Sequence, residues 1–262
     1  MFWLKRKKAR TKVRALGNDF RNNLSRAFTI AKKDAKVYYF KAPNFTYGLL
    51  MPISLFLAFS LAGQVKSSTI ISGLTALAIL FGTTSIEAVA VVLEKQTGTF
   101  ERLLAAPISF FTLVLGKALA GVFFGLILSA GMIIPLVLLS GTGIANPVLF
   151  FVAVMFSSLT FSSMGVLISA YAKWVPEAQM LDNFLRFPMA FLSGIFFPLT
   201  AIPAQLQFIP RLLPLTYSFE ALSISVAESA ITGIYLVDTL VMALFSILLL
   251  VLATIVLRRK TT

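Results

Sequence analysis

Two glutamates, Glu87 and Glu94, lie near the end of a long apolar stretch of this 262-residue chain. On a helix they share one face about two turns apart, because an α-helix has about 3.6 residues per turn. A carboxylate inside a membrane is costly and usually faces protein or water, so a functional role is the first hypothesis for Glu87. The alternative is that Glu87 lies close enough to the interface to be solvated or paired with Lys95.

Several kinds of chemistry are excluded by residues that the sequence lacks. The chain has no histidine and no cysteine, which removes a thiol nucleophile, a disulfide framework, a histidine base and a histidine metal site. The phosphate-binding pattern GxxxxGK[ST] is missing too, because Gly116-Lys117 is followed by Ala118 and lacks the upstream glycine. We therefore expect no catalytic site, no metal and no cofactor bound by this chain, and no nucleotide hydrolysis of its own.

The uncharged stretches of the sequence indicate a membrane protein with several spans. Hydrophobic residues make up 58% of the chain, against 23 basic and 10 acidic side chains, which excludes an ordinary soluble domain. A hydrocarbon core about 30 Å thick needs roughly 20 apolar helical residues, so each long uncharged stretch holds at least one span. These stretches predict six helices at roughly 45–65, 69–93, 109–140, 147–171, 180–199 and 234–257. They are apolar on every face, which favours helices over barrel strands.

The distribution of lysine and arginine predicts the orientation of these spans. With the N-terminus inside, 21 basic residues fall on the cytoplasmic side and only Lys66 and Arg211 fall outside. Cytoplasmic loops carry the excess of basic residues in membrane proteins. We therefore expect a multi-pass protein of the cytoplasmic (inner) membrane with both termini, and the segment 94–109, in the cytoplasm.

Residues 1–44 are predicted to be a basic cytoplasmic tail followed by an amphipathic helix. From Asn22 to Lys41 apolar residues recur at steps of three and four between charged ones: Leu24, Phe28, Ala31, Ala35 and Tyr38. Such a pattern is typical of a helix on the inner membrane surface, where its basic residues contact anionic lipid headgroups. A nucleic-acid partner is the weaker interpretation of these charges, and we expect none.

The segment EKQTGTFERLLAAPIS, residues 94–109, interrupts two apolar runs with a short charged stretch. Gly98 is expected to end the preceding helix and Thr99 to cap a new one, with Glu101 in the first turn, where the helix dipole favours an acid. Pro107 is expected to end this helix, and Ser109 to cap the next span.

The short helix predicted at 98–107 has one apolar face. It is formed by Phe100, Leu103, Leu104 and Pro107, while Glu101 and Arg102 point elsewhere. A helix of two turns is not stable alone in water, so this face must pack against something. Two interpretations remain open, an interfacial turn resting on lipid and a docking helix that inserts into a groove of a cytoplasmic partner.

The segment 200–232 is predicted not to cross the membrane. It is interrupted by charges and prolines, namely Pro203, Pro210, Arg211, Pro214, Glu220 and Glu228. Two short helices at 206–213 and 218–226 are expected to dip into the outer leaflet and to cover the exit of a pathway. Phe196 and Phe197, just before them, are either a hydrophobic gate or interface anchors.

Two further patterns concern helix contacts. Small residues recur every fourth position in GVFFG at 121–125 and at Ser129, which favours close packing within one subunit. Asp182 and Arg186 are four residues apart, so they are expected to neutralise each other at the interface.

Two blocks of the sequence resemble the ABC-2 type permeases, the membrane subunits of ABC exporters for drugs, polysaccharides and lipid-linked molecules. They are GTFERLLAAPIS, which resembles the family's cytoplasmic coupling segment, and FLSGIFFPLTAIPAQLQFIPRLLPLTYSFEAL at 191–222, which resembles its outer re-entrant region. One departure is Ser223, where the family often carries arginine. The resemblance implies an outer gate or re-entrant segment formed by Phe196, Phe197, Pro198, Pro203, Pro214, Tyr217 and Glu220.

The resemblance also implies how the subunit is driven. The family works as dimers of six-span subunits, homodimeric or heterodimeric, joined to two copies of an ATP-binding subunit that holds ATP and magnesium. The contact with that subunit would be made by Gly98, Thr99, Phe100, Glu101, Arg102, Leu103, Leu104 and Pro107. Phe100 and the two leucines are expected to supply most of the docking energy, and Glu101 and Arg102 to fix the register.

The predicted fold is an all-α membrane protein with six spans, an N-terminal interfacial helix, a cytoplasmic coupling helix at 98–107 and an outer re-entrant hairpin at 200–232. The six-span domain is expected at 45–257 and a cytoplasmic tail at 258–262. The predicted function is the permease of an ATP-driven exporter for an amphipathic or hydrophobic, drug-like or lipid-like substrate, as in multidrug efflux. The alternatives are a polysaccharide or glycolipid permease of the same family, an ion-coupled secondary transporter, and a scaffold or insertase without transport.

Overall fold

A computed structural model of the chain describes residues 23–39, 48–54, 57–58, 70–106, 108–140, 143–228 and 230–261, and within these ranges it contains helices and no strands. The α-helices are α1 (23–34, continued by a π-helical turn Ala35–Tyr39), α2 (48–54), α3 (Ile70–Gln96), α4 (Thr99–Leu104), α5 (Phe110–Ser140), α6 (Pro147–Tyr171), α7 (Val175–Leu192), α8 (Phe208–Arg211), α9 (Pro214–Ala227) and α10 (Gly233–Thr261). The all-helical prediction is confirmed.

Among the residues that the structure describes, four helices are long and apolar enough to cross a membrane. They are α3, α5, α6 and α10, with candidate spans at Ile70–Gln96, Phe110–Leu138, Pro147–Tyr171 and Gly233–Lys260. Each is at least 25 residues long, and roughly 20 are needed for the hydrocarbon core. These four correspond to the second, third, fourth and sixth predicted spans, and they make the chain an integral membrane protein.

The other two predicted spans, the first and the fifth, are not among these candidate spans. The first, at 45–65, lies partly outside the described residues, and its described part is helical at 48–54 and 57–58. The fifth, predicted at 180–199, is a helix at Val175–Leu192, which begins at a proline-containing turn and carries three charged residues. It stops before the predicted end because Gly194 adopts a left-handed conformation with φ of 92°.

The centre of the bundle is α3, which packs against α5, α6, α7 and α9, while α6 packs against α10. Glycine allows the closest of these approaches. A Cβ atom on Gly165 of α6 would lie 2.6 Å from the carbonyl oxygen of Thr84 on α3, and one on Gly125 of α5 would lie 2.2 Å from the hydroxyl of Ser158 on α6. The second contact confirms that small residues of the GVFFG segment pack within one subunit.

The helix α1 packs against the bundle with only part of the predicted apolar face. Ala27, Ile30 and Ala31 are buried, and the backbone of Ala27 approaches Gly116 of α5. Leu24 and Phe28, which belong to the predicted apolar face, are 45% and 53% exposed. The helix therefore buries one stripe in protein and leaves a second apolar stripe on its outer surface, as expected of a helix lying at a membrane interface.

The segment before α10 contains short helices, as predicted, with revised bounds. The predicted helix 206–213 is reduced to α8, and the predicted helix 218–226 begins earlier and forms the 14-residue α9. Proline at the first position starts α9, since it fits the first turn of a helix. Of the two predicted gate residues, Phe196 is buried and packs against Phe191, whereas Phe197 is 38% exposed.

Candidate functional site

The helix α4 follows α3 after a single sharp turn. Gly98 adopts a φ of 68°, which only glycine tolerates readily, and it occupies the N-cap position of α4. The prediction that Thr99 caps the helix is wrong, because its hydroxyl donates instead to the carbonyl oxygen of Glu94, 3.2 Å away. Glu101 lies in the first turn, as predicted. Ser109 caps α5, since its hydroxyl accepts a hydrogen bond from the backbone N–H of Thr112.

The apolar face of α4 points into the membrane bundle. Phe100 is 1% exposed and packs into an apolar cluster with residues of α3, α5, α6 and α10: Val91, Leu113, Val114, Ala118, Val166, Ala170, Leu250, Ala253 and Leu257. Leu103 and Leu104 are partly buried against the same cluster. The amino group of Lys95 lies 5.9 Å from the centre of the Phe100 ring, within the range of a cation–π contact.

This burial corrects the expected role of Phe100. A side chain that is covered by its own chain cannot supply docking energy to a partner, so that prediction is wrong for Phe100. The physical reason is that a six-residue helix is unstable without tertiary packing, and its single apolar stripe is used to attach it to the bundle. Pro107, the last residue of the predicted face, lies outside the described residues.

The opposite face of α4 is exposed. Glu101 and Arg102 both point away from the bundle. Beside them lies a cavity of about 620 Å³, which we call the inner cavity; its lining includes Glu101, Lys95, Lys173 and Lys260. The ammonium groups of Lys95 and Lys260 each donate a hydrogen bond of 2.7 Å to backbone carbonyl oxygens at the end of α6. The surface next to α4 is therefore basic, with one acid at its edge.

Four charged residues form an ionic cluster at the base of α3, next to α4; three of them are buried and the fourth, Lys33, is half-buried. Lys117 of α5 is fully buried, and its ammonium group lies 2.5 Å from Glu94 and 3.1 Å from Asp34. Lys33 of α1 lies 2.8 Å from Asp34 and 2.5 Å from Glu94. Burial alone lowers the pKa of Lys33, but the charges and hydrogen bonds of Asp34 and Glu94 outweigh it and raise that pKa. The two lysines and two carboxylates balance in charge.

Glu94 connects this ionic cluster to α4. Its carboxylate binds Lys117 and Lys33, while its backbone carbonyl oxygen accepts hydrogen bonds from the hydroxyls of Thr97 and Thr99. One residue thus holds α1, α3 and α5 together and also fixes the turn into α4. Sequence reasoning placed Glu94 correctly at the end of the second span but missed its partners, which are 23 and 61 residues away.

The second predicted intramembrane acid, Glu87, is fully buried. Its Cβ atom faces Gly165 of α6, where an added Cβ would come within 2.8 Å. Lys95, the partner suggested by the sequence, donates its hydrogen bond to the carbonyl oxygen of Ser169. The structure therefore contradicts the solvated interpretation of Glu87 and places its side chain against protein, while a functional role for it stays a prediction.

The pair formed by Asp182 and Arg186 is confirmed, with 3.3 Å between its charged atoms, but its surroundings differ from the prediction. Both side chains are almost fully buried between α7 and α3. The guanidinium group also donates to Ser85 and to the carbonyl oxygen of Phe81, and lies 4.8 Å from the ring centre of Phe81. The pair is therefore a contact between two helices and not an exposed pair at the interface.

At the other end of the bundle, Arg211 and Glu220 form an ion pair of 2.7 Å. The hydrogen bond with Glu220 raises the pKa of Arg211. The hydroxyl of Tyr217 donates to the carbonyl oxygen of Arg211, which fixes α8 against α9. Ser223, at the position where the family often has arginine, donates a hydrogen bond to the hydroxyl of Ser72. Glu220 thus pairs with Arg211, an arginine that precedes it in the chain.

Comparison with known proteins agrees with this arrangement. A family model described as ABC-2 type transporter matches residues 20–227. The chain is 28% identical over 153 residues to the inner membrane transport permease YhhJ of Escherichia coli (strain K12), which covers 56% of this chain and 39% of that protein. It is also 28% identical over 141 residues to the ABC transporter G family member 20 of Dictyostelium discoideum, covering 53% of this chain and 19% of that protein. The matched part thus spans less than half of each relative. Because the family match covers most of its length, the chain belongs to the ABC-2 type transporter family.

Proposed function

We propose that this chain is the permease subunit of an ATP-driven exporter that uses a separate ABC ATP-binding subunit. The observation that carries this proposal is the geometry of α4, a short helix with Phe100 packed into the bundle and Glu101 and Arg102 exposed. A helix that is packed against the bundle on one face and exposed on the other can bind a partner and transmit the movement of that partner to the bundle. The exposed charges would fix the register of that partner.

Movement of α4 would reach the membrane helices by two routes. Phe100 belongs to an apolar cluster whose other members come from four bundle helices, and the backbone of Glu94 holds the turn that leads into α4. The carboxylate of Glu94 passes the same displacement to α1 and α5 through Lys33 and Lys117. Packed side chains and buried ion pairs of this kind carry coupling between sites because they resist continuous deformation.

The complex we propose contains two copies of the ATP-binding subunit, which hold ATP and magnesium, and a second permease subunit as a homodimer or heterodimer. The chain would have six spans in the cytoplasmic membrane and both termini in the cytoplasm. This orientation places the basic inner cavity and α4 on the side where an ATP-binding subunit is found.

The substrate we propose is amphipathic or hydrophobic, drug-like or lipid-like, and moves outward. The candidate spans are apolar, and two of the basic side chains inside the bundle, Lys117 and Arg186, already have acidic partners. Few fixed charges are therefore left for a highly polar cargo. A polysaccharide or glycolipid permease remains the alternative within the family, and an ion-coupled secondary transporter the alternative from another class.

Copurification with charge-reversed variants tests the proposal. When the tagged chain is purified from its native membranes, we expect an ABC ATP-binding subunit to copurify with it. The double variant Glu101→Arg/Arg102→Glu should lose at least about tenfold of that subunit, because like charges across an interface cost several kcal/mol. The expected thermal stability of this variant is unchanged, since both side chains are exposed.

The matched control is Arg259→Glu, which reverses an exposed charge near the C-terminal end of α10. It should copurify the ATP-binding subunit as the natural chain does. Undiminished copurification with the double variant would contradict the proposed docking face. Transport that depends on an ion gradient, with no ATP-binding subunit attached, would favour the secondary transporter.

A further inference from the structure

A second cavity, of about 680 Å³, lies where α9 meets the start of α10. It is at the end of the bundle opposite α4, because Leu257 and Lys260 at the far end of α10 line the inner cavity. A helix of 29 residues rises roughly 44 Å, so the two cavities are separated by about the thickness of a membrane. We call this second space the α9–α10 cavity.

Asp238 is the unusual residue of the α9–α10 cavity. It lines the cavity and is only 2% exposed, and its Oδ2 atom has no hydrogen-bond partner among the residues that the structure describes. A buried carboxylate without a partner is costly, and it is kept as an ion only where a positive charge balances it. Arg211 is the positive group that lines the cavity with Asp238, but it forms an ion pair of 2.7 Å with Glu220, so one guanidinium group is shared between two carboxylates.

The rest of the α9–α10 cavity has the features of a site for an organic ligand. Its walls are mainly apolar and include Phe219, Ile224, Ile234 and Val237. Its volume lies within the range of about 300–1,000 Å³ found for small-molecule sites. When Asp238 and Glu220 are both ionised, the two carboxylates and one guanidinium group on its lining give the site a net negative charge.

The position of Asp238 is fixed by its neighbours on α10. The hydroxyl of Tyr235 donates a hydrogen bond of 2.6 Å to the carbonyl oxygen of Leu149 on α6. Thr239 is buried too, and its hydroxyl donates to the carbonyl oxygen of Tyr235. The Tyr235 hydrogen bond joins the first turn of α10 to α6, and the Thr239 hydrogen bond lies within α10, so Asp238 lies on a helix segment that is packed against its neighbour.

We propose that the α9–α10 cavity binds a lipophilic organic cation, with Asp238 as the counter-ion and the apolar walls around the body of the ligand. A metal ion is a poorer match, since calcium needs six to eight oxygen ligands and the lining is mainly apolar. The proposal deepens the proposed function and rests on it, because it assigns a charge to the amphipathic substrate and a site for it at the exit end.

The test uses two probes of the same shape and opposite charge, tetraphenylphosphonium and tetraphenylborate. Their binding to the full chain is measured by equilibrium dialysis in nanodiscs of zwitterionic lipid, with empty nanodiscs as the blank. We expect tetraphenylphosphonium to bind more tightly than tetraphenylborate. Asp238→Asn should weaken phosphonium binding by about tenfold, the effect of losing about 1.4 kcal/mol. Arg211→Gln should strengthen it severalfold, because it removes the positive charge beside the site.

The control Glu228→Gln removes an exposed carboxylate at the end of α9 and should leave phosphonium binding unchanged. The opposite effects expected at Asp238 and Arg211 separate the proposal from a general loss of folding, which would weaken binding in both variants. Equal binding of the two probes, or phosphonium binding that is unchanged in Asp238→Asn, would overturn the proposal. No ATP-binding subunit takes part in this experiment, so its failure would leave the proposed function intact.

Discussion

Replacing Lys117 with methionine is expected to lower the free energy of unfolding by about 3–5 kcal/mol, the usual cost of removing one partner from a buried ion pair. The variant leaves Asp34 and Glu94, two almost fully buried carboxylates, with Lys33 as their remaining partner in the cluster. Methionine fills similar space, so the loss comes from charge and not from a cavity. The measurement is thermal or denaturant unfolding of the purified chain in detergent.

Two further variants make this prediction specific. Lys117→Met combined with Glu94→Gln restores the balance of charge by leaving Asp34 paired with Lys33, and should recover most of the stability. Lys36→Met removes an exposed lysine from the same region and should have no measurable effect. A Lys117→Met chain as stable as the natural one would show that the buried cluster does not hold α1, α3 and α5 together.

Replacing Phe100 with alanine is expected to cost about 3–5 kcal/mol, as for other buried aromatic residues. Phe100 is the fully buried side chain of α4, so its truncation should detach the helix from the bundle. We expect ATP-dependent transport to fall by at least about tenfold, although the Phe100 side chain is buried within its own chain. Stability and transport are measured on the same reconstituted sample.

The comparison with Glu101→Arg/Arg102→Glu separates the attachment of α4 to the bundle from the binding of the partner. That variant should remain stable and lose the partner, whereas Phe100→Ala should lose stability and transport. If Phe100→Ala kept its stability but no longer bound the ATP-binding subunit, the side chain would lie in the interface as the sequence alone had suggested, and the orientation of α4 described here would be wrong.

The sequence predicted the helical class and six spans, and the structure confirms the helical class and shows four of the six as helices long and apolar enough to cross a membrane. These features depend on length and on the absence of charge, which are local properties. It also predicted the short helix near residue 100 and its apolar stripe. It did not predict the orientation of this apolar stripe. Phe100, Leu103 and Leu104 would have the same spacing whether they pack against the membrane bundle or insert into a groove of a partner. Only the packing around α4 decides between them.

The buried ionic cluster shows a different limit of sequence reasoning. In the sequence, Lys117 belonged to an incomplete phosphate-binding pattern and to the basic residues that predict the orientation, and its partners Glu94 and Asp34 are 23 and 83 residues away. Ion pairs between residues so far apart produce no periodic pattern in the sequence. By contrast, Asp182 and Arg186 were predicted as a pair because they are one helical turn apart, but their burial against α3 followed only from the fold.

The burial of Asp238, at the end of the bundle opposite α4, could not be predicted from the sequence either. In the sequence Asp238 is a single acid near the start of the last predicted span, 234–257, where an interface position is the simplest interpretation. The structure buries it beside a cavity because Tyr235 fixes the helix against α6. A residue of this kind becomes a candidate for binding only when its surroundings are known.

The apolar face of α4 is attached to the bundle, and we propose that its exposed face contacts an ATP-binding subunit. The most direct measurement is site-specific photo-crosslinking in native membranes, with the reactive residue placed at Arg102 in one chain and at Phe100 in another. We predict that the Arg102 probe forms an adduct with an ABC ATP-binding subunit and that the Phe100 probe reacts only within its own chain. Adducts of the Arg102 probe with lipid alone, in membranes that still transport substrate, would contradict the account.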